Sequence, residues 1–545
     1  MTPRARRALF TTILFFVVCA MVGTLLQRKV GAQSSEDESQ IRDNLKQFTN
    51  VYALVEQNYA EPISGDKIDT VIYDGAIPGM LRTLDPHSNF YDPKAYAKMR
   101  EDQRGHYYGV GMVIQQQKDK IYVITPYEGT PSFRAGIRPG DVITAVDGKQ
   151  VVTEGNNPDA LTSSDAVAKA LKGPKGTHVQ VTMSREGQTK PLTFDLVRDE
   201  IPHPSVDLKY EIRPGVGYIH LTQFQETTAA EVIDAINSFG SMKGLIFDLR
   251  GNPGGLLSQA VEVCDHLLSK GQTIVSQRGR AYPDQNYTAS HGNDGKSFPI
   301  VVLVNRNTAS AAEIVSGALQ DHDRAWVLGE TTFGKGLVQT VYPLAENTGL
   351  ALTTMHFYTP SGRLIQRDYT NKSFFDYYYH KDDNARNPLD VKMTDSGRTV
   401  YGGGGITPDE KYVAPKPDEL QLELTRKGAF FNYTRHYFGS HDTKLPKGWS
   451  PDSSVLTDFH DYLLKEKYTF TEADFTKDTD WVRRYLKREM YITAFNLDES
   501  QRVFAETDPE VEQAVDAMPK ARALLETAKK IVVQRMSSQP KPTDR

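Results

Sequence analysis

The chain has 545 residues, too many for one ordinary hydrophobic core, so roughly three or four domains of about 100 to 200 residues are expected. A hydrophobic fraction of 39%, a charged fraction of 24%, 41 Gly and 29 Pro are ordinary globular usage, which excludes a collagen-like or wholly disordered chain. Lys and Arg number 64 against 69 Asp and Glu, a net charge of −5, which excludes the basic footprint of a nucleic-acid partner.

In chain order, Arg4, Arg6 and Arg7 precede an uncharged apolar run over residues 8–26, long enough to span a bilayer, with the positive flank expected in the cytoplasm. Val30-Gly31-Ala32 beyond it offers a small-residue cleavage site, so the segment reads as an uncleaved membrane anchor or a cleaved export signal. Either way the bulk of the chain is expected outside the cytoplasm, in the periplasm. Only two cysteines are present, Cys19 in this run and Cys264 in an amphipathic stretch, so no disulfide framework or Cys-based zinc site can be built. Cys264 reads as a small buried hydrophobe.

From 36 to about 105 the pattern is helical, with Ile41, Leu45, Val51, Leu54 and Val55 at helix-like spacing and a second run over 71–84. Leu84-Asp85-Pro86-His87-Ser88 then demands a turn, because proline fixes the backbone where a helix would continue. Over 105–198 short strand-like runs (110–115, 121–125, 142–146, 178–183, 192–197) alternate with turn signals, and one helix is expected over 163–171. Tyr108-Gly109-Val110-Gly111, Gly129 to Ser132 and Ala135 to Ile143 resemble a PDZ domain. The resemblance implies that the loop Tyr108, Gly109, Val110, Gly111 offers backbone N–H groups to the terminal carboxylate of a peptide lying along a sheet edge.

Beyond 202 strands and helices alternate: strands over 216–224, 244–249, 300–304, 325–329, 337–342 and 350–358, helices near 229–238, 258–268 and 311–320. That succession predicts an α/β core. Residues 374–380, rich in Tyr, read as an inserted surface loop within the acidic stretch 368–390, which either shapes access to the site or is a passive loop, and 418–536 as helix-leaning, with 481–490 and 511–535 the clearest runs. The stretch Gly329 to Lys335 imitates a phosphate-binding loop, but Gly336 stands where a hydroxyl is needed and a strand-like run follows where a helix should open.

Lys335 fits better with Ser310. The run Asn307 to Glu313 leaves an apolar strand and enters a helix, so Ser310 is expected on the turn between them, its hydroxyl left open by small neighbours. A serine needs a base, and a lysine dried by Phe333, Leu337 and Val338 can serve as one. Gln339, four residues on, is a neutral candidate to orient the amine. The Gly-rich turn Asp248 to Gly255 offers the amide of Gly254 or Gly255, and the helix start the amide of Ala311, to a developing oxyanion. His356 is the nearest candidate for a rival Ser-His-Asp arrangement among thirteen histidines, and it sits in no committing motif. No cluster has metal-ligand spacing, so neither metal nor cofactor is expected.

Together, Leu84 to Ser88, the PDZ glycines, Asp248 to Leu256, Asn307 to Glu313, Thr332 to Gln339 and Tyr358-Thr359-Pro360-Ser361-Gly362 resemble the carboxyl-terminal processing peptidases, or tail-specific proteases, over about 45–415. Thr308, Ala312 and Gly251 depart from the family's usual residues without removing a catalytic atom. The resemblance implies a ClpP/crotonase-like α/β core with an inserted PDZ β-domain, a helical N-terminal module and a helical C-terminal extension. It implies a serine endopeptidase with Ser310 as nucleophile, Lys335 as general base and Gln339 supporting the lysine, and a PDZ domain that engages substrate C-termini and gates the site. Expected boundaries are 1–35 signal or anchor, 36–104 helical module, 105–198 PDZ domain, 199–415 protease core, 416–536 extension and 537–545 disordered tail. Partners are protein or peptide substrates with apolar C-termini and, through the N-terminal segment, the membrane; an adaptor, an activator and a homo-oligomer stay open. The non-enzymatic alternative is a PDZ scaffold that keeps the fold without cutting.

Overall fold

In the computed structural model the described residues are 35–538, apart from 64, 66, 68, 69, 154–159, 371, 380–386 and 442. The anchor or signal over 8–26, the cleavage site and Cys19 lie outside them, as does the tail beyond 538. Among the described residues no helix is long and apolar enough to cross a membrane.

Two compact units divide the chain, the first reaching Met80. In it the helix Ser35–Asn58 carries its apolar residues outward, with Ile41, Leu45, Val51 and Leu54 half or more exposed.

The second unit, Leu81–Arg545, is built on a six-stranded sheet in the order Val206–Arg213, Val216–Leu221, Gly244–Asp248, Ile300–Val304, Ala325–Gly329, Glu410–Lys411. The first pair is antiparallel and the rest parallel. Strands of a parallel sheet are buried on both faces, which is why 300–304 is an unbroken apolar run. Side chains alternate between those faces with period two. Ile219, Leu245, Phe247, Ile300, Val302 and Val327 pack on the crossover helices Thr228–Ser238, Leu257–Asp265 and Ala311–Asp321. Tyr218, Ile246, Val301, Leu303 and Leu328 point the other way, onto Ala505, Val511, Ala514, Met518 and Ala521 near the C-terminus.

A second sheet joins Asn89–Tyr91, Gly349–Tyr358, Thr273–Gly279 and Gln285–Thr288, with Leu337–Pro343 paired to Gly349–Tyr358. A third, from Met112–Gln117 to Leu192–Val197, closes over the helix Ser164–Leu171 around Ile121, Val123, Val167 and Val181. The C-terminal helices have an aromatic core of Phe430, Tyr433 and Phe459. The single helical run expected over 511–535 is two helices, Pro509–Asp516 and Met518–Ser538. Pro519 lacks the amide a helix interior requires and fits only in a first turn, so the break falls just before it. Cys264 is fully buried, and burial pushes its thiol pKa up.

Candidate active site

Ser310 caps the helix Ala311–Asp321 with φ 54° and ψ −117°. A side chain on the left-handed side of φ space stores of order 1–3 kcal/mol of strain, held only where surrounding bonds over-determine it. They do so here. Thr308 donates its hydroxyl to the Leu249 carbonyl at 2.8 Å and its amide to the Asn305 carbonyl at 2.9 Å. Ala309 donates its amide to the Asn252 carbonyl at 2.9 Å, and Ser310 its amide to Glu313 Oε2 at 2.8 Å. Ser310 itself stays half-buried.

Asn252, fully buried, rivets the glycine loop: its Nδ2 donates to the Leu221 carbonyl at 2.8 Å and its Oδ1 accepts the Gly254 amide at 2.8 Å. Gly254 has φ 97°, and a Cβ there would lie 2.7 Å from Ser310 Cβ and 2.9 Å from the Ala311 nitrogen. Gly255 has φ 143°, and a Cβ there would lie 2.1 Å from the Phe224 carbonyl oxygen. Only glycine lets this loop lie against the serine. Because the Gly254 amide is taken by Asn252, the pair of candidates narrows to Gly255, whose amide, like that of Ala311, has no acceptor among the described residues.

Lys335 arrives on the irregular segment 330–336, ahead of the strand Leu337–Pro343. Burial pushes its ammonium pKa below the ordinary lysine range, and the carboxylates of Glu313 and Asp85 pull it part of the way back. Glu313 joins the two halves of the site. Fully buried, it accepts the Ser310 and Lys335 amides on Oε2 (2.8 and 2.9 Å), and the Gly334 amide (2.7 Å) and the Thr332 hydroxyl on Oε1. Burial raises its pKa, and those four donors oppose the rise.

Around the lysine segment stands a wall whose side-chain roles sequence reasoning did not assign. Asp85 Oδ1 accepts the His87 and Ser88 amides at 2.7 and 2.8 Å, and Ser88 Oγ donates to Oδ2 at 2.7 Å. His87 Nε2 bonds Tyr377 Oη at 2.9 Å and its Nδ1 bonds Tyr378 Oη at 3.2 Å. Burial, then the Lys335 charge, push the His87 pKa down to about 3, so its ring is neutral at working pH. Tyr377, only 2% exposed, packs with Phe333 and Ala309, and the Arg367 guanidinium lies 4.6 Å from the Phe333 ring centroid. The expected surface loop at 374–380 is thus corrected: Phe374–Tyr379 is a helix that exposes Phe374, Phe375 and Tyr379 but anchors Tyr377 beside the serine and lysine segments.

Other expected site residues stand elsewhere. Gln339 donates Nε2 to Thr353 Oγ1 at 3.2 Å, and no hydrogen bond among the described residues joins it to the Lys335 amine. His356 sits in the second sheet opposite Leu337 and Arg278. Tyr108 and Gly109 end the strand His106–Gly109, which pairs with Asp199–Pro202. The loop's carbonyls are engaged, Val110 accepting the Ser132 amide and Gly111 the Tyr127 amide at 2.9 Å, while Tyr108 is 40% exposed. No group of three or more His, Cys, Asp or Glu among the described residues could hold a metal ion.

Glu313 carried a signal that went unread, the Ser-x-x-Glu spacing from Ser310 that marks a capping box. Asp85 and His87 sat in a stretch read as a turn and as part of the family resemblance, with no role given to either side chain. Tyr377 had no local signal, because Phe374–Tyr379 is aromatic on every side but one.

Residues 215–372 match Peptidase family S41, residues 109–196 a PDZ domain, and residues 12–95 the N-terminal domain of the activating protease CtpB. A carboxy-terminal-processing protease of Bartonella bacilliformis is 38% identical over 361 residues, 65% of this chain and 80% of that protein. A probable CtpA-like serine protease of Staphylococcus aureus strain N315 is 33% identical over 359 residues, 65% and 68% of the two chains. Among solved structures, the photosystem II D1 C-terminal processing protease is 29% identical, with 66% of this chain and 86% of that one covered and a TM-score of 0.33. With its S41 core and its PDZ domain, the chain belongs to the carboxy-terminal-processing proteases, a group of peptidases.

Proposed function

We propose that the protein is a serine endopeptidase in which Ser310 attacks the scissile carbonyl and Lys335 is the general base. The observation that supports this is the shared carboxylate: Glu313 Oε2 accepts the Ser310 and the Lys335 amides, tying the strained serine turn to the segment of a dried lysine. The neutral amine takes the Ser310 Oγ proton as the C–O bond forms. The carbonyl oxygen gains a negative charge that the Gly255 and Ala311 amides meet. Lys335 then gives its proton to the leaving amine, the C–N bond breaks, and the acyl ester remains on Ser310. Water, deprotonated by the same amine, attacks the ester, and the proton returns to Ser310 Oγ on release of the acid.

In this proposal the loop Tyr108 to Gly111 binds the substrate's terminal carboxylate, an apolar last side chain fills the adjoining pocket, and the PDZ domain gates cleavage. Placement outside the cytoplasm, with residues 8–26 as anchor or export signal, is part of the same proposal and rests on their composition. The test is cleavage of an unfolded protein ending in an apolar residue by the fragment from residue 36, beside Ser310→Ala and Lys335→Ala. Loss of cleavage in both, with folding intact, is expected. Retention in either overturns the dyad, and tail binding without cleavage by the unmodified fragment favours a scaffold.

A further inference from the structure

Arg250 lies one residue before Gly251, at the entry to the glycine loop, and its guanidinium faces two ways. Toward the sheet, Nη2 donates to Asp248 Oδ2 at 2.6 Å and Nε donates to both Asp248 oxygens at 3.0 Å. Asp248, 1% exposed, also accepts the Tyr218 hydroxyl at 2.7 Å, so this end is fixed in the core. Toward the C-terminal helices, Nη1 donates to Glu510 Oε2 at 2.8 Å and to Asp508 Oδ2 at 3.1 Å. The loop is pinned beyond it by the Gly251 amide on Asn305 Oδ1 at 2.9 Å and by Asn252.

Those two carboxylates are themselves rigidly held. Asp508 caps the helix Pro509–Asp516, its Oδ1 accepting the Glu510 amide at 2.9 Å. The helix is seated through Val511 and Ala514 in the cluster containing Val301, Leu303 and Leu328 of the sheet. Glu510 is 6% exposed, and its Oε1 has no hydrogen-bond partner. Burying a carboxylate with half of its acceptors unused is costly, so its position is explained by what the other oxygen holds.

We propose that Asp508 and Glu510 are positioning residues of the glycine loop, acting through Arg250. The proposal rests on the reading of this loop as the oxyanion-binding element. It gives the C-terminal region, which lies beyond the S41 match, a part in the reaction. A donor aimed at a developing charge must be held to a fraction of an ångström, and a misplacement of about 1 Å costs on the order of a hundredfold in rate. A planar guanidinium can bridge two carboxylate groups at fixed spacing, which a lysine cannot.

The test is the double variant Asp508→Asn/Glu510→Gln in the chain from residue 36, with Glu512→Gln as control. Glu512 is the next carboxylate along the helix and pairs outward with Arg213. The expected result for the double variant is a kcat lowered about tenfold or more with KM within about twofold, and faster hydrogen–deuterium exchange of the amides of 251–256 by mass spectrometry. The control should match the parent in both. Arg250→Lys, which keeps the charge and loses the fork, should reproduce the defect and serves if the double variant does not fold. A folded double variant with parental kcat and parental loop exchange overturns the inference. If Ser310→Ala still cleaves, the dyad fails instead, and the exchange of 251–256 still decides whether the loop depends on these carboxylates.

Discussion

Ala309 donates its amide to the carbonyl oxygen of Asn252 at 2.9 Å, so the turn that presents the serine and the loop that carries the glycines are stitched together by their main chains. Asn252 completes the stitch with its side chain, reaching Leu221 on one side and Gly254 on the other. Asn252→Ala should therefore destabilise by about 1–3 kcal/mol, the cost of a buried donor and acceptor left unpaired. It should also lower kcat by about 10²-fold through the loosened loop, read by thermal unfolding and steady-state kinetics.

Glu313→Gln preserves shape and tests the charge and the acceptor count. Four donors converge on the two carboxylate oxygens, and an amide supplies only one oxygen. The NH₂ group must face either the Ser310 and Lys335 amides or the Thr332 and Gly334 donors. Cleavage should fall by about 10²-fold or more, with a loss of stability of about 1–3 kcal/mol. Parental cleavage in a folded variant would remove Glu313 from the site.

In the proposed mechanism Lys335 must be neutral to accept a proton, so activity should rise with pH and be lost as pH falls through its depressed pKa. The charge of Asp85 holds that pKa up. Asp85→Asn, whose amide oxygen can still accept from the His87 and Ser88 amides, should move the acid limb of kcat/KM to lower pH. A limb that stays in place, in a variant that still cleaves, would show that another group titrates.

His87 gives a stability signature distinct from catalysis. Its folded pKa of about 3 lies below the ordinary histidine value of 6.5, so the unfolded chain binds the proton more readily. Its contribution is intact above pH 6.5 and is lost as pH falls from there toward 3. His87→Gln should weaken this acid destabilisation, measured as the change in unfolding midpoint between pH 7 and pH 4.

The α/β core could be read from the sequence because residues 244–247 and 300–304 are apolar runs bounded by turns and followed by helical periodicity. Ser310 and Lys335 stood out in the sequence for a local reason: a serine among small residues at a strand-to-helix turn, and a lysine amid Phe333, Leu337 and Val338. What the sequence hides is assembled over long separations. His87 and Tyr377 meet across 290 positions, and Arg250 and Glu510 across 260, and no periodicity connects such pairs. The place of Gln339 four residues after Lys335 says nothing of which strand its amide will face, and it faces Thr353.

The far face of the parallel sheet has a consequence for how the chain is made. Ile246, Val301, Leu303 and Leu328 are covered largely by Ala505, Val511, Ala514, Met518 and Ala521. During synthesis, a nascent chain that has emerged as far as the Lys335 segment still presents an uncovered apolar sheet, since its lid is made roughly 170 to 186 residues later. The protease core is therefore obliged to wait for nearly the whole polypeptide before it can close. The helices near the C-terminus are the second half of the hydrophobic core, and a chain cut at 415 should aggregate rather than fold.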